Sequence, residues 1–195
     1  MKEKDFYVIL LTNFYHTWMC RIKKSCVWLA ALVFACASCV KDGDSEAYEI
    51  INHVEVGDAV PEFTVSDGAG STFHSSDFIG KRSLLILFST ECPDCQKVLP
   101  IINDEVWPQI KDDPAYQLVT ISRDETAEVV NKFWSDKKFT LPTYLDPGRK
   151  VFDLFANSTV PRLYIINVEG KIDWMAIEYL EITAEALTAK IRAAQ

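Results

Sequence analysis

The chain lacks an apolar run long enough to cross a membrane. The unbroken stretch from Val27 to Ala37 has 11 residues, where a spanning helix needs about 20. A surplus of basic charge is also missing. The 20 Lys and Arg residues stand against 28 Asp and Glu, a formal net charge of −8. That argues against nucleic acid as a partner and against electrostatic binding to an anionic membrane. Histidine occurs three times, and beyond position 50 only His53 and His74 remain, both upstream of the central cysteine pair. A zinc site would need a second pair of ligands, so no metal is expected. Four of the six cysteines lie within the first 39 positions. One remaining pair does not make a disulfide-stapled miniprotein. No internal repeat and no low-complexity tract is present.

What is there begins with a leader. Arg21, Lys23 and Lys24 precede the apolar stretch and small residues follow it, the layout of a secretory signal peptide over residues 1–38. Met19-Cys20-Arg21-Ile22-Lys23-Lys24 reads as a natural start, which makes residues 1–18 a non-native upstream extension. The run ends in Ala35-Cys36-Ala37-Ser38-Cys39, similar to a bacterial lipobox, in which the Cys becomes the lipid-bearing first residue. Cys39 is the expected lipidation site, with Cys36 as the alternative; a plain cleaved signal peptide is the other reading. Residues 39–53 then form a lipidated acidic tether, and residues 54–195 a single domain. A lipid anchor is the one expected contact with membrane. Val40-Lys41-Asp42-Gly43-Asp44 resembles the signal that sends some lipoproteins to the cell surface. The expected location is therefore extracytoplasmic, as an outer-membrane or cell-envelope lipoprotein facing the periplasm or the surface of a Gram-negative bacterium. The leader removes five basic and two acidic residues, leaving 15 and 26, a charge of −11.

Within the domain, Phe63 to Val65 and Ser71 to Phe73 flank Ser66-Asp67-Gly68-Ala69-Gly70, which predicts an N-terminal β-hairpin. Ser83 to Ser89 is a continuous apolar run, suited to a central strand covered on both faces. Val98, Leu99, Ile101, Ile102, Val106 and Ile110 recur at helical spacing over residues 96–110, with Pro100 as a kink. Residues 117–121 read as a strand and 124–137 as a helix burying Val129, Val130, Phe133 and Trp134. Residues 150–156 read as a short helical piece. Residues 163–166 and 171–177 are strands joined at Glu169-Gly170, and residues 183–193 a closing helix capped by Thr183. This order makes an α/β layered domain. Trp107, Trp134 and Trp174 are read as packing residues.

The chemistry concentrates at Cys92-Pro93-Asp94-Cys95, where the apolar strand turns into a helix. A thiolate attacks disulfides, and a helix N-terminus stabilises it through its dipole and free N–H groups. Cys92 should lie exposed at the turn. Cys95, one helical turn on, should point inward and resolve the mixed disulfide that Cys92 forms. The redox-active disulfide Cys92–Cys95 would be the only prosthetic chemistry, with no separate cofactor. Glu91 and Asp94 bracket the pair with negative charge, which disfavours the thiolate. With Pro93 they are the expected redox-tuning residues, and they predict a reducing couple rather than a strong oxidant.

LLILFSTECPDCQKVLP, from Leu84 to Pro100, resembles the active-site segment of thioredoxin-like proteins, and FDLFANSTVPRLYIINVEGK, from Phe152 to Lys171, resembles their later stretch. The resemblance is to the TlpA/ResA type of exported thiol-disulfide oxidoreductase, and Val56 to Phe63 matches the opening of that group and of the related AhpC/TSA redoxins. It implies a thioredoxin-like three-layer sandwich: a central mixed sheet with helices on both faces. It implies Cys92 as nucleophile, Cys95 as resolving thiol, Pro161 as the cis-proline facing them, Val160 as the backbone edge that receives substrate, and Pro100 as the helix kink. Its implied partners are protein disulfide or dithiol substrates and an upstream membrane electron donor. The chain departs from the pattern: Glu91 replaces the usual Trp, Ile86 the buried acid of thioredoxin, and Val98 the Glu of ResA-type proteins. Two other functions stay open. One is a peroxiredoxin-like thiol peroxidase, although Thr90 stands two rather than three residues before Cys92 and residues 81–91 hold no Pro. The other is a non-catalytic surface lipoprotein that keeps the fold.

Overall fold

A computed structural model describes residues 49–178 and 183–193. The expected leader, the extension over residues 1–18 and both lipidation candidates, Cys36 and Cys39, lie outside the described residues.

Seven strands form one mixed sheet: β1 Thr64–Ser66, β2 Thr72–His74, β3 Arg82–Phe88, β4 Tyr116–Arg123, β5 Thr143–Asp146, β6 Arg162–Ile166 and β7 Ile172–Ile177. Their order is β2-β1-β5-β4-β3-β6-β7. β3, β4 and β5 run parallel, while β6, β7 and the β1–β2 hairpin run antiparallel to their neighbours. The helices are α1 Pro93–Ile101, α2 Trp107–Ile110, α3 Ala127–Lys137, α4 Phe152–Phe155 and α5 Ala184–Arg192.

The apolar run reads as a central strand because it is one. Leu84 to Phe88 are all buried, paired with β4 on one side and β6 on the other. Alternation along β3 points Leu85 and Phe88 to opposite faces. Trp134 of α3 packs on Phe88 with ring centroids 5.0 Å apart. Tyr164, paired with Leu85, meets Phe155 of α4 at 5.1 Å. Helices therefore cover both faces, as a three-layer sandwich requires. The hairpin is fixed by its aromatic face: Phe73 lies 4.9 Å from Phe78, and Phe63 lies 6.2 Å from Phe155. Its turn is held by Asp67, whose Oδ1 accepts from the N–H groups of Ala69, Gly70 and Ser71. These bonds lower the Asp67 pKa from its ordinary value, that from Ala69 most.

The long helix breaks later than expected. Pro100 sits inside α1, but the irregular turn is a π-helical stretch, Ile102–Val106, closed by a bond from the Trp107 N–H to the Ile102 carbonyl. Pro108 follows directly. In a regular α-turn its ring would strike the carbonyl of Asp104, and the wider turn relieves that contact. Helix α3 begins at Ala127 rather than near Asp124, because Thr126 caps it by accepting from the Val129 N–H. Val129 is 45% exposed, so the buried face is Val130 and Trp134, with Phe133 packed at its edge. Strand β5 was not expected; it lies beside β4, and the Pro142 carbonyl that precedes it accepts from the Thr120 N–H and hydroxyl.

The domain extends further toward the N-terminus than Val54. His53 N–H donates to the Phe155 carbonyl, Ile51 and Asn157 exchange bonds, and Asn52 pairs with Ala156. At the other end of the sheet Arg82 forms an ion pair with Asp173 at 2.6 Å. It also donates to the carbonyls of Ile191 and Lys190, tying α5 to the sheet.

Candidate active site

The site sits where β3, α1 and β6 meet. β3 delivers the chain to its carboxyl end, Ser89 to Glu91 turn it, and α1 starts with Cys92 as N-cap and Pro93 in the first turn. Proline suits that position, since its fixed φ matches the helix and its missing N–H would have no helical acceptor there. Cys92 is half-buried and Cys95 fully buried, and both are free thiols. The Cys92 Sγ–H donates to the Val160 carbonyl at 3.2 Å. The Val160–Pro161 peptide bond is cis. The fold thus brings Cys92, Cys95, Val160 and Pro161 together from segments about 65 positions apart.

The two thiols have different surroundings. Burial drives the Cys95 thiol well above its ordinary range, against a smaller opposing contribution from the Ser89 backbone. A thiolate there has lost its hydration without gaining a full charge partner. Cys92 keeps access to solvent and lies at the positive end of α1.

Glu91 is exposed on the turn. Asp94 faces outward and pairs with Lys97 at 2.8 Å. Neither carboxylate is hydrogen-bonded to a cysteine.

Another acid reaches the turn, and the sequence reading missed it. Glu125, just past the end of β4, accepts from the Thr90 N–H at 2.8 Å, from the Thr90 hydroxyl and from the Ser89 hydroxyl at 3.2 Å. The Gln96 side chain closes the turn from the helix side by donating to the Thr90 carbonyl at 2.7 Å. Polar residues at the end of a parallel strand were the available signal, because sites in open α/β sheets lie at those ends. A cavity of about 380 Å³ opens beside the turn, lined by Ser89, Glu91, Arg123, Glu125, Thr126 and Val129 among others.

Residues 56–175 match the model of the AhpC/TSA family. The thiol-disulfide oxidoreductase ResA of Oceanobacillus iheyensis is 31% identical over 166 residues, which cover 83% of this chain and 78% of that protein. A protein of the same name from Bacillus thuringiensis is 27% identical over 119 residues, 61% of this chain and 68% of that one. Among solved structures, that of a candidate protein disulfide isomerase from Bacteroides thetaiotaomicron gives a TM-score of 0.67 at 29% identity, covering 74% of this chain and 90% of that one. StoA from Bacillus subtilis shares the fold, with a TM-score of 0.54 at 24% identity over 66% of this chain and 95% of that one. The chain belongs to the AhpC/TSA family and is a thiol-disulfide oxidoreductase of the TlpA/ResA type.

Proposed function

We propose that this oxidoreductase works as a reductant of protein disulfides outside the cytoplasm, held to the membrane by a lipid on Cys39 or, alternatively, Cys36. The observation that carries the reaction is the unequal placement of the two thiols: Cys92 half-exposed at a helix cap, Cys95 fully buried one turn behind it. Cys92 attacks one sulfur of the substrate disulfide as a thiolate, and the other sulfur leaves as a thiol after taking up a proton. Cys95 then loses its proton and attacks Cys92, releasing the second substrate thiol. Two electrons pass from the dithiol to the substrate, and the Cys92–Cys95 disulfide remains, to be reduced by a membrane electron donor.

Burial makes the Cys95 proton hard to lose in advance. Its departure therefore coincides with attack, which suits a thiol that should stay silent until a mixed disulfide forms. The substrate strand lies along the backbone at Val160 and Pro161, where main-chain groups pair with an extended peptide. Glu91 and Asp94 add negative charge around the pair, Pro93 fixes the cap, and together they favour a reducing couple. The Lys97 ion pair offsets part of the Asp94 contribution.

A peroxidase reading loses support at Thr90, whose hydroxyl is bound by Glu125 rather than turned toward Cys92. Insulin reduction measured beside peroxide consumption separates the two activities. The expected result is insulin reduction that Cys92→Ser abolishes, with peroxide turnover no faster than that of a free thiol. Rapid peroxide consumption without insulin reduction would overturn the proposal. The anchor is checked by metabolic labelling of the full chain with a radiolabelled fatty acid, which Cys39→Ala or Cys36→Ala should abolish.

A further inference from the structure

Arg162 follows the cis-proline and is completely buried. No carboxylate of the described residues pairs with it. A guanidinium keeps its charge in any protein environment, so it must be solvated by dipoles. Its Nε donates to the carbonyls of Ser158 at 3.1 Å and Thr159 at 3.0 Å, and its Nη2 to Ser158 at 2.8 Å. Its Nη1 donates to the Asn52 side-chain oxygen at 2.8 Å. The Phe152 ring lies 6.0 Å from the guanidinium carbon.

These carbonyls belong to the loop that ends at Val160, the residue whose own carbonyl meets Cys92. Thr159 in that loop has φ of 69°, a left-handed conformation that a β-branched residue adopts only when its surroundings enforce it. The Arg162 fork supplies the enforcement from one side. Asn52, in the segment entering the domain, holds the fork from the other.

We propose that Arg162 is a positioning residue that sets the Ser158–Val160 edge for an extended polypeptide substrate, with Asn52 as its outer support. This rests on the reading of the Val160 edge as the substrate strip. Arg162 does not touch α1, where both cysteines sit. Its loss should therefore weaken capture of a polypeptide more than attack on a small disulfide.

The test compares steady-state reduction of a polypeptide disulfide (insulin) with that of a small aromatic disulfide (Ellman's reagent). For Arg162→Met, kcat/KM for insulin should fall about tenfold, chiefly through KM, and the rate on the small disulfide should fall less, by about threefold, the part that the Val160 carbonyl transmits to Cys92. Arg162→Lys should fall between, because one ammonium cannot bridge Asn52 and the two carbonyls as a fork does. Asn52→Ala, at a solvent-exposed position, should raise the insulin KM about threefold; this variant decides if Arg162→Met does not fold. Equal losses on both substrates, or none in Asn52→Ala, would overturn the proposal. Wild-type protein inactive on insulin would sink the reductase reading itself, and the proposal with it.

Discussion

Glu125 offers the sharpest test of how the turn before Cys92 is held. Its carboxylate receives three donors, and two of them come from Thr90, which is 6% exposed. In Glu125→Ala the Thr90 N–H and hydroxyl lose their acceptor. A buried donor left unpaired costs about 1–3 kcal/mol. The adjoining cavity admits water to part of this site, so the lower end applies: about 1 kcal/mol for each group, and about 2 kcal/mol in total. For a domain of this size, that lowers Tm by about 4–8 °C. The same change frees Ser89, whose carbonyl accepts from the Cys92 N–H. Disulfide exchange should then slow about tenfold, since small displacements of a reacting group have large effects. Glu125→Gln keeps one acceptor oxygen and should lose about half as much stability. Differential scanning calorimetry and insulin reduction read the two effects. An Ala variant with unchanged melting and unchanged exchange would refute the clamp.

Three further outcomes follow from the same physics. Burial raises the Cys95 thiol pKa in the folded state, so its contribution to stability is complete below about pH 8.5 and declines above it, as the unfolded thiol begins to ionise while the folded one stays protonated. Denaturant titrations should show this loss at about 1.4 kcal/mol per pH unit, a slope that Cys95→Ala reduces; an unaltered slope in that variant would contradict the assignment. In the native reduced protein iodoacetamide should modify Cys92 and spare Cys95 until denaturant is added, and mass spectrometry of the peptides reads this directly. Asp173→Ala should destabilise the fold by about 3–5 kcal/mol, because it strands the largely buried Arg82 cation, with a smaller loss for Asp173→Asn. A loss under 1 kcal/mol would mean that the carbonyls of Ile191 and Lys190 suffice to hold Arg82.

The legible parts of the fold were those that bury a repeating pattern. β3 announced itself as an unbroken apolar run because it is covered on both faces, and the β6–β7 pair by apolar residues around a Gly turn. β5 did not: Thr143–Asp146 is four residues long, three of them half-buried, between Pro142 and Pro147-Gly148. Its place comes from pairing with β4 and from Ser66 of the hairpin, contacts remote in sequence. The π-helical turn was missed because Pro100 drew the kink, whereas Pro108 dictates the wide turn.

At the site, the placement of Cys92 at the helix cap and of Cys95 facing inward was legible in four consecutive residues. Glu125 and Arg162 were not, since each acts by reaching a backbone segment that only folding brings near. An arginine inside an apolar strand carries no period and no motif, yet its burial is the observation from which its role follows.

Trapping with Cys95→Ser addresses the division of labour between the thiols most directly. Incubated with a disulfide-bonded polypeptide, this variant should accumulate a mixed disulfide on Cys92, identified by peptide mass mapping, and the wild type should pass through it without accumulation. Adduct found on Cys95 in the converse variant Cys92→Ser, with none on Cys92 in Cys95→Ser, would contradict the assignment of nucleophile and resolving thiol.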